Sequence, residues 1–211
     1  MSQDTAEAIT QPVLEALRQL MNVGAEVSAR RLKKLLHSDI ELSVPQVNLG
    51  NTSNNGFLTE LAPSTTLSVV QLRFEGGLRG VSELILPTRS VASIAALMGE
   101  SYPAVGVEDP LLMGMATEIG NIVINGLMGS VANLVDVPLE YSPPVYFESR
   151  MDELPQSLTA KSSSVVGYTT FTAAKHEVKG VISMIFEKET EESLSEHLRI
   201  WLDTKGPEDS I

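Results

Sequence analysis

The sequence predicts an α+β fold in which one α-β-β-β-α unit occurs twice around a pseudo-two-fold axis. We expect about six strands, with two long helices packed on the sheet. Apolar residues recur with helical spacing over segments 13–37 and 110–135, and each segment is followed by shorter stretches that alternate like strands. The two segments also share polar positions at a fixed distance of 99 residues, so that Asn22 matches Asn121. These observations predict a duplicated unit.

The first half begins with a loose leader and the long helix, whose first turn suits Pro12. A strand over residues 40–49 contains Pro45, which cannot donate to a ladder, so we expect an edge strand or a bulge there. A polar loop, 50–66, precedes the remaining elements. These are strands 67–75 and 78–86, joined at Gly76-Gly77, and a short helix, 89–98, that Gly99 closes.

The second half repeats this order after a linker, 100–108. The long helix 110–135 leads to a proline-containing strand, 139–147, and a polar loop, 148–160. The remaining elements are strands 162–172 and 177–186 and an amphipathic helix, 191–203.

The register of the repeat defines the predicted domain. Pro45 and Pro144 are 99 residues apart, and the last-strand glycines, Gly80 and Gly180, are 100 apart. We therefore predict a single domain over residues 12–204. Its two repeats are 12–99 and 108–204, and flexible tails are predicted at 1–11 and 205–211. The sequence leaves open whether the two halves share one continuous sheet.

Composition restricts the class of protein. The 211 residues, 43% of them hydrophobic, suffice for a globular core, and the absence of cysteine excludes disulfides and thiolate chemistry. With a net charge of -12 and no basic-aromatic interleaving, we expect no basic cluster and no nucleic-acid partner. We see no secretory signal, no membrane-length apolar run and no metal-ligand cluster, and so we expect a cytoplasmic protein.

A narrow polar line runs along each long helix. The second helix carries it at Glu118, Asn121 and Asn125, and the first helix carries it at Gln19, Asn22 and Glu26. The spacing i, i+3, i+7 places each set within one sector of its helix. One interpretation is a solvated face, and the other is a rigid carboxylate-plus-amide site, with Asn125 as a solvated neighbour. Three small residues of the second helix, Gly120, Gly126 and Gly129, predict close packing against the other long helix or the sheet, and a partner groove is the alternative.

The motifs resemble those of the CheC/CheX/FliY family of chemotaxis phosphatases, and CheC most closely. The spacing Glu-x2-Asn-x22-Pro occurs at Glu118, Asn121 and Pro144. The first half has the same spacing, with Gln in place of Glu, at Gln19, Asn22 and Pro45. The run from Thr117 to Ile122 is similar to the core hexapeptide of that family. The resemblance extends from about residue 12 to residue 203.

The resemblance implies a substrate and a role for each site residue. The substrate would be the phosphoaspartate of a CheY-like response regulator, which supplies its own Mg2+, so that this chain needs no cofactor. Asn121 would position the attacking water, and Glu118 would pair with a lysine of the regulator. Gln19 and Asn22 would form a degenerate second site, and Pro45 and Pro144 would shape the strands beside the helices.

Two departures from the family pattern leave alternatives open. The family usually has Asp or Ser four residues before the motif glutamate, whereas this chain has Gly114 there and Glu15 in the first half. In the first half the motif glutamate itself is replaced by Gln19. A non-catalytic binding module for a phosphorylated regulator is therefore the alternative, and a structural part of a flagellar switch is a third reading. Members of the family sometimes act together with a CheD-like deamidase, and the sequence alone leaves open whether this chain has such a partner.

Overall fold

The computed structural model describes residues 9–43, 45–49, 56–97, 110–154, 163–173 and 178–204. The predicted linker and most of the two tails lie outside these residues, as do parts of both polar loops. The domain limits 12–204 and the two repeat ranges therefore stay predictions. Ile9, within the predicted first tail, is 7% exposed and belongs to the core.

Five α-helices, two short 3-10 helices (Met151–Glu153 and Lys188–Thr190) and eight strands occur within the described residues. The helices are α1 (Gln11–Leu36), α2 (Gly56–Thr59), α3 (Thr88–Leu97), α4 (Pro110–Leu134) and α5 (Glu191–Thr204). The strands are β1 (Glu41–Leu42), β2 (Gln46–Leu49), β3 (Thr66–Gly76), β4 (Gly80–Pro87), β5 (Leu139–Tyr141), β6 (Val145–Arg150), β7 (Ser163–Ala173) and β8 (Val178–Glu187). Two predicted loops contain structure, since α2 lies within 50–66 and β6 continues to Arg150.

The sheet is continuous and antiparallel, in the order β1-β7-β8-β4-β3-β5, with β2 also paired to β7 and β6 also paired to β3. The eight strands therefore occupy six positions, as the fold class predicts. Each edge position is divided into two strands, and the break contains Pro45 on one edge and Pro144 on the other. The prediction of an edge strand or a bulge at Pro45 is confirmed, since Pro45 lies at the break of an edge strand, between β1 and β2, and Pro144 has the equivalent position between β5 and β6.

The two halves exchange their first strands, a detail that the repeat alone does not predict. β2 of the first half pairs with β7, and β6 of the second half pairs with β3. The long helices show why. A Cβ on Gly167 of β7 would collide with Met21 of α1, so α1 lies over the other half's hairpin. The strand that follows α1 then returns beside that hairpin.

Equivalent backbone features confirm the pseudo-two-fold axis. A Cβ on Gly80 would collide with the carbonyl of Ile185, and a Cβ on Gly180 would lie 2.8 Å from the carbonyl oxygen of Ile85. Both long helices are followed by a non-glycine residue in the left-handed region, His37 (φ 48°) and Asp136 (φ 56°), which are 99 residues apart. The axis passes through the central β4–β8 pair.

The long helices pack against each other and cover one face of the sheet. The Ser28 hydroxyl of α1 lies 3.0 Å from the Val123 carbonyl oxygen of α4, and a Cβ on Gly24 would lie 2.8 Å from the backbone of Leu127. From Gly24 to Ser28 the residue number rises along α1, while the contacted residue on α4 falls from Leu127 to Val123, so the two helices are antiparallel. The prediction of close packing is therefore confirmed for Gly126, which meets Ser28, but a Cβ on Gly129 would meet nothing within 4 Å.

Helix α4 also packs on the sheet, where a Cβ on Gly120 would lie 2.5 Å from Val70 of β3. By length and composition α4 could cross a membrane, but half of its most apolar window is buried inside the protein. Burial against α1 and the sheet accounts for its apolar character. A second, smaller cluster, which includes Phe57, Val69 and Ile85, covers the opposite face of the sheet.

Candidate functional site

Helix α4 presents Glu118, Asn121 and Asn125 along one line. Glu118 is exposed, and both asparagines are half-buried. The Asn125 amide donates a hydrogen bond of 2.7 Å from Nδ2 to Oδ1 of Asn121. Within the described part of the chain, Glu118 has no hydrogen bond or ion pair. The line therefore offers a free carboxylate one turn before an amide whose orientation is fixed.

Asn125 thus has more than the solvated role that we expect from sequence. Its bond to Asn121 occupies one lone pair of Oδ1 and turns the Nδ2 protons of Asn121 away from Asn125. Among the described residues, the second lone pair of Oδ1 and both amide protons of Asn121 have no hydrogen-bond partner, and so they can contact a ligand. The i, i+4 spacing of two amides on one helix face was the signal in the sequence for this pair.

Gln19, which occupies the position of Glu118 on α1, is hydrogen-bonded to a residue of its own helix. Gln19 donates to Glu15 at 3.3 Å, and Glu15 also accepts from Arg18 Nε at 2.8 Å. The hydrogen bond from Arg18 is the main cause that lowers the pKa of Glu15, so this carboxylate is ionised at neutral pH. Gly114, at the equivalent position on α4, has no side chain that could hold Glu118.

Asn22 acts as a hydrogen-bond donor on its own helix, whereas Asn121 acts as an acceptor. Its Nδ2 donates to Oε1 of Glu26 at 3.2 Å, whereas Asn121 accepts through Oδ1. One amide proton of Asn22 is therefore already used by a carboxylate. The structure brings Gln19 and Asn22 onto one line, as the sequence predicts, and the amide nitrogen of each donates to a glutamate of α1, while Oε1 of Gln19 is buried without a hydrogen-bond partner among the described residues.

The two prolines lie in equivalent positions beside the helices. Val70, which meets Gly120 of α4, pairs with Tyr146, two residues after Pro144. Gly167, which meets Met21 of α1, pairs with Val47, two residues after Pro45. Each proline thus interrupts the edge strand next to the strand beneath the motif. This location fits a role in shaping the backbone.

Comparison with known proteins identifies relatives by structure alone. No family model matches the sequence, and no curated protein matches it. The FliY structure from Thermotoga maritima has a TM-score of 0.69 at 20% identity, and the match covers 92% of this chain and 98% of FliY.

Two further structures show proteins of this fold in complexes. The CheX–CheY–BeF3–Mg2+ complex from Borrelia burgdorferi matches with a TM-score of 0.53 at 15% identity, over 83% of this chain and 99% of that chain. The FliG–FliM complex from H. pylori matches with a TM-score of 0.60 at 12% identity, over 89% of this chain and 100% of that chain. The chain therefore has the fold shared by FliY, CheX and the FliM middle domain, in agreement with the resemblance to the CheC/CheX/FliY family.

Proposed function

We propose that the protein binds a CheY-like response regulator and hydrolyses its phosphoaspartate at the α4 site. The regulator itself supplies Mg2+ and a lysine beside the acyl phosphate, and these groups neutralise the phosphoryl charge. Water attacks phosphorus, and the bond between phosphorus and the carboxylate oxygen breaks. The products are inorganic phosphate and the free aspartate, and the proton of the attacking water passes to the phosphate.

In this proposal Asn121 holds the water in line with the bond that breaks. Its Oδ1 can accept a hydrogen from water through the second lone pair, which leaves an oxygen lone pair of that water directed at phosphorus. A fixed amide lowers the activation free energy of hydrolysis because the attacking water is already oriented when the reaction begins. The hydrogen bond from Asn125 supports this role, since it reduces the orientations that the Asn121 amide can adopt.

Glu118 fixes the docking register by pairing with the lysine of the regulator. A charge-assisted pair of this kind is directional, and the i, i+3 spacing to Asn121 places both groups on one face of a rigid helix. The observation that carries the proposal is the contrast between the two helices. Glu118 is free of partners among the described residues, whereas Gln19 is bonded to Glu15. We therefore assign one strong site to α4 and a degenerate site to α1.

A second candidate function is that of a non-catalytic scaffold. The similarity to FliM, which a solved structure shows in complex with FliG, favours it. A scaffold would bind a regulator or another chemotaxis partner, including a CheD-like deamidase, without turnover. Decay of the acyl phosphate separates the two functions, because only a phosphatase accelerates it. Either function would be carried out in the cytoplasm.

Changing Glu118 to Gln is expected to weaken docking more than chemistry. The substitution keeps the size and the hydrogen-bonding atoms but removes the charge that pairs with lysine. We expect KM for the phosphorylated regulator to rise about 10- to 100-fold, with kcat within a few-fold of wild type. Steady-state phosphate release over a range of regulator concentrations measures both constants.

The matched control is Gln19→Glu, which restores the motif carboxylate on α1. It should not raise kcat/KM by more than about two-fold, because the Glu15 carboxylate four residues earlier repels the new charge. An unchanged KM for Glu118→Gln would contradict the docking role of Glu118.

A further inference from the structure

Helix α1 ends in a basic cluster, which differs from the expectation that the chain has none. Four of the 15 lysines and arginines lie within five residues: Arg30, Arg31, Lys33 and Lys34. All four are exposed, and together with Val27 they line a concavity of about 570 Å3. On a chain with a net charge of -12, this local concentration of positive charge forms a distinct surface, which we call the α1 basic patch.

Helix stability accounts for only part of the patch. Lys33 and Lys34 lie in the last turn, where cations offset the negative end of the helix dipole. Arg30 and Lys33 also have acidic neighbours on the same segment. Arg31 lies before the last turn, and within the described residues neither Arg31 nor Lys34 forms an ion pair. These two positive charges are available to a partner.

The patch is level with the α4 site along the helix pair, because the two helices are antiparallel. Ser28 of α1 is level with Val123 of α4, since its hydroxyl lies 3.0 Å from the Val123 carbonyl oxygen. At 1.5 Å per residue, Arg31 and Lys34 lie about 4.5 and 9 Å further along α1. The same distances back along α4 from Val123 reach Gly120 and Thr117, and the stretch from Thr117 to Val123 contains Glu118 and Asn121. Both groups of residues are therefore at the same end of the helix pair.

The basic patch has no equivalent on α4 near the polar line of α1, which is formed by Gln19 and Asn22. The positions on α4 that correspond to the four cations are all uncharged: Gly129, Ser130, Ala132 and Asn133. By symmetry these residues are level with Gln19 and Asn22. A cluster of cations is therefore level with Glu118, whereas the cation next to Gln19 is Arg18, which is paired with Glu15.

We propose that the α1 basic patch and the Glu118–Asn121 pair form one docking surface for an acidic protein face, namely the face of the regulator that carries the phosphoaspartate. The inference rests on the proposed function. A phosphoaspartate with carboxylates that bind Mg2+ is surrounded by negative charge, which Arg31 and Lys34 attract. The patch also opposes the repulsion between an acidic regulator and the rest of this acidic chain.

The double variant Arg31→Gln/Lys34→Gln tests the inference. Gln has a helix propensity close to that of Arg and Lys, so both exposed changes should leave folding intact. We expect KM for the phosphorylated regulator to rise about 3- to 10-fold at low salt, with kcat within two-fold of wild type. The KM of wild type should rise with ionic strength, whereas the KM of the variant should lose most of this dependence.

The matched control is Arg79→Gln/Lys188→Gln, which changes the net charge equally at exposed positions outside the two long helices. It should keep the wild-type KM and salt dependence. Equal effects of both variants would overturn the inference, as would tighter binding of wild type to a DNA duplex than to the regulator. Direct binding of the phosphorylated regulator, measured by fluorescence anisotropy, tests docking at the patch independently of phosphatase activity. If wild type binds without turnover, the phosphatase proposal fails while the patch is still tested.

Discussion

Replacing Asn121 with Ala is expected to lower kcat for phosphate release by about 100-fold or more, with little change in affinity for the phosphorylated regulator. The reason is orientation, since the variant keeps Glu118 for docking but has no amide to hold the attacking water. A loss confined to kcat is the signature of an interaction that acts only in the transition state. Phosphate release at saturating regulator measures kcat, and anisotropy titration measures the affinity.

The matched control for Asn121→Ala is Asn22→Ala on the pseudo-equivalent helix. The line that contains Asn22 has Gln19 in place of the glutamate that pairs with the lysine of the regulator, so removal of Asn22 should leave kcat within two-fold of wild type. Equal losses from the two variants would contradict the assignment of a single strong site. A large loss of affinity in Asn121→Ala would instead move Asn121 from positioning water to docking.

Replacing Glu83 with Gln is expected to stabilise the protein at alkaline pH. Glu83 lies on β4, is completely buried, accepts a hydrogen bond of 2.7 Å from Gln71, and lies 3.3 Å from the Ser183 hydroxyl. Burial raises the pKa of Glu83 from 4.5 to about 7. Glutamine can keep both contacts, because its oxygen accepts from Gln71 and its amide donates to the serine oxygen.

The sign of the effect follows from proton binding. Between pH 4.5 and about 7 the folded protein keeps the Glu83 proton that the unfolded chain releases, so stability falls as pH rises. Above pH 7 the folded state contains a buried charge, at a cost of about 3 kcal/mol for a shift of this size. The difference in free energy of unfolding between Glu83→Gln and wild type should grow across this window and then stay constant.

Chemical denaturation at pH 4, 6 and 8 measures this difference. The matched control is Glu75→Gln on β3, which makes the same substitution at an exposed carboxylate and should not reproduce the gain in stability of Glu83→Gln at pH 8. A constant difference for Glu83→Gln as well would show that folding does not shift the pKa of Glu83, in contradiction to the effect of burial.

Local periodicity predicted the elements and their symmetry. The apolar spacing of the two long helices and the 99-residue offset between Asn22 and Asn121 suffice for the duplicated unit, because the first signal lies within each half and the second compares the two halves position by position. The exchange of first strands could not be predicted in the same way. It depends on which hairpin lies beneath α1, and that is decided by the contact of Met21 with Gly167 in the other half of the chain.

The sequence also identified the polar line but not the state of its members. Glu118 and Gln19 look like equivalent positions, and only the side-chain contacts distinguish a free carboxylate from an amide bonded to Glu15. Glu83 was missed for a related reason. In an alternating strand it occupies the face away from the long helices, and only the packing of the second cluster, which includes Phe57, shows that this face is covered too.

The most direct test of the central claim is the decay of an acyl-phosphorylated CheY-type regulator in the presence of substoichiometric wild-type protein and Mg2+. The proposal predicts that each protein molecule releases many phosphates, at a rate well above the intrinsic decay of the regulator. Decay at the intrinsic rate, with a complex detected by anisotropy at the same concentrations, would contradict the phosphatase assignment and support a scaffold.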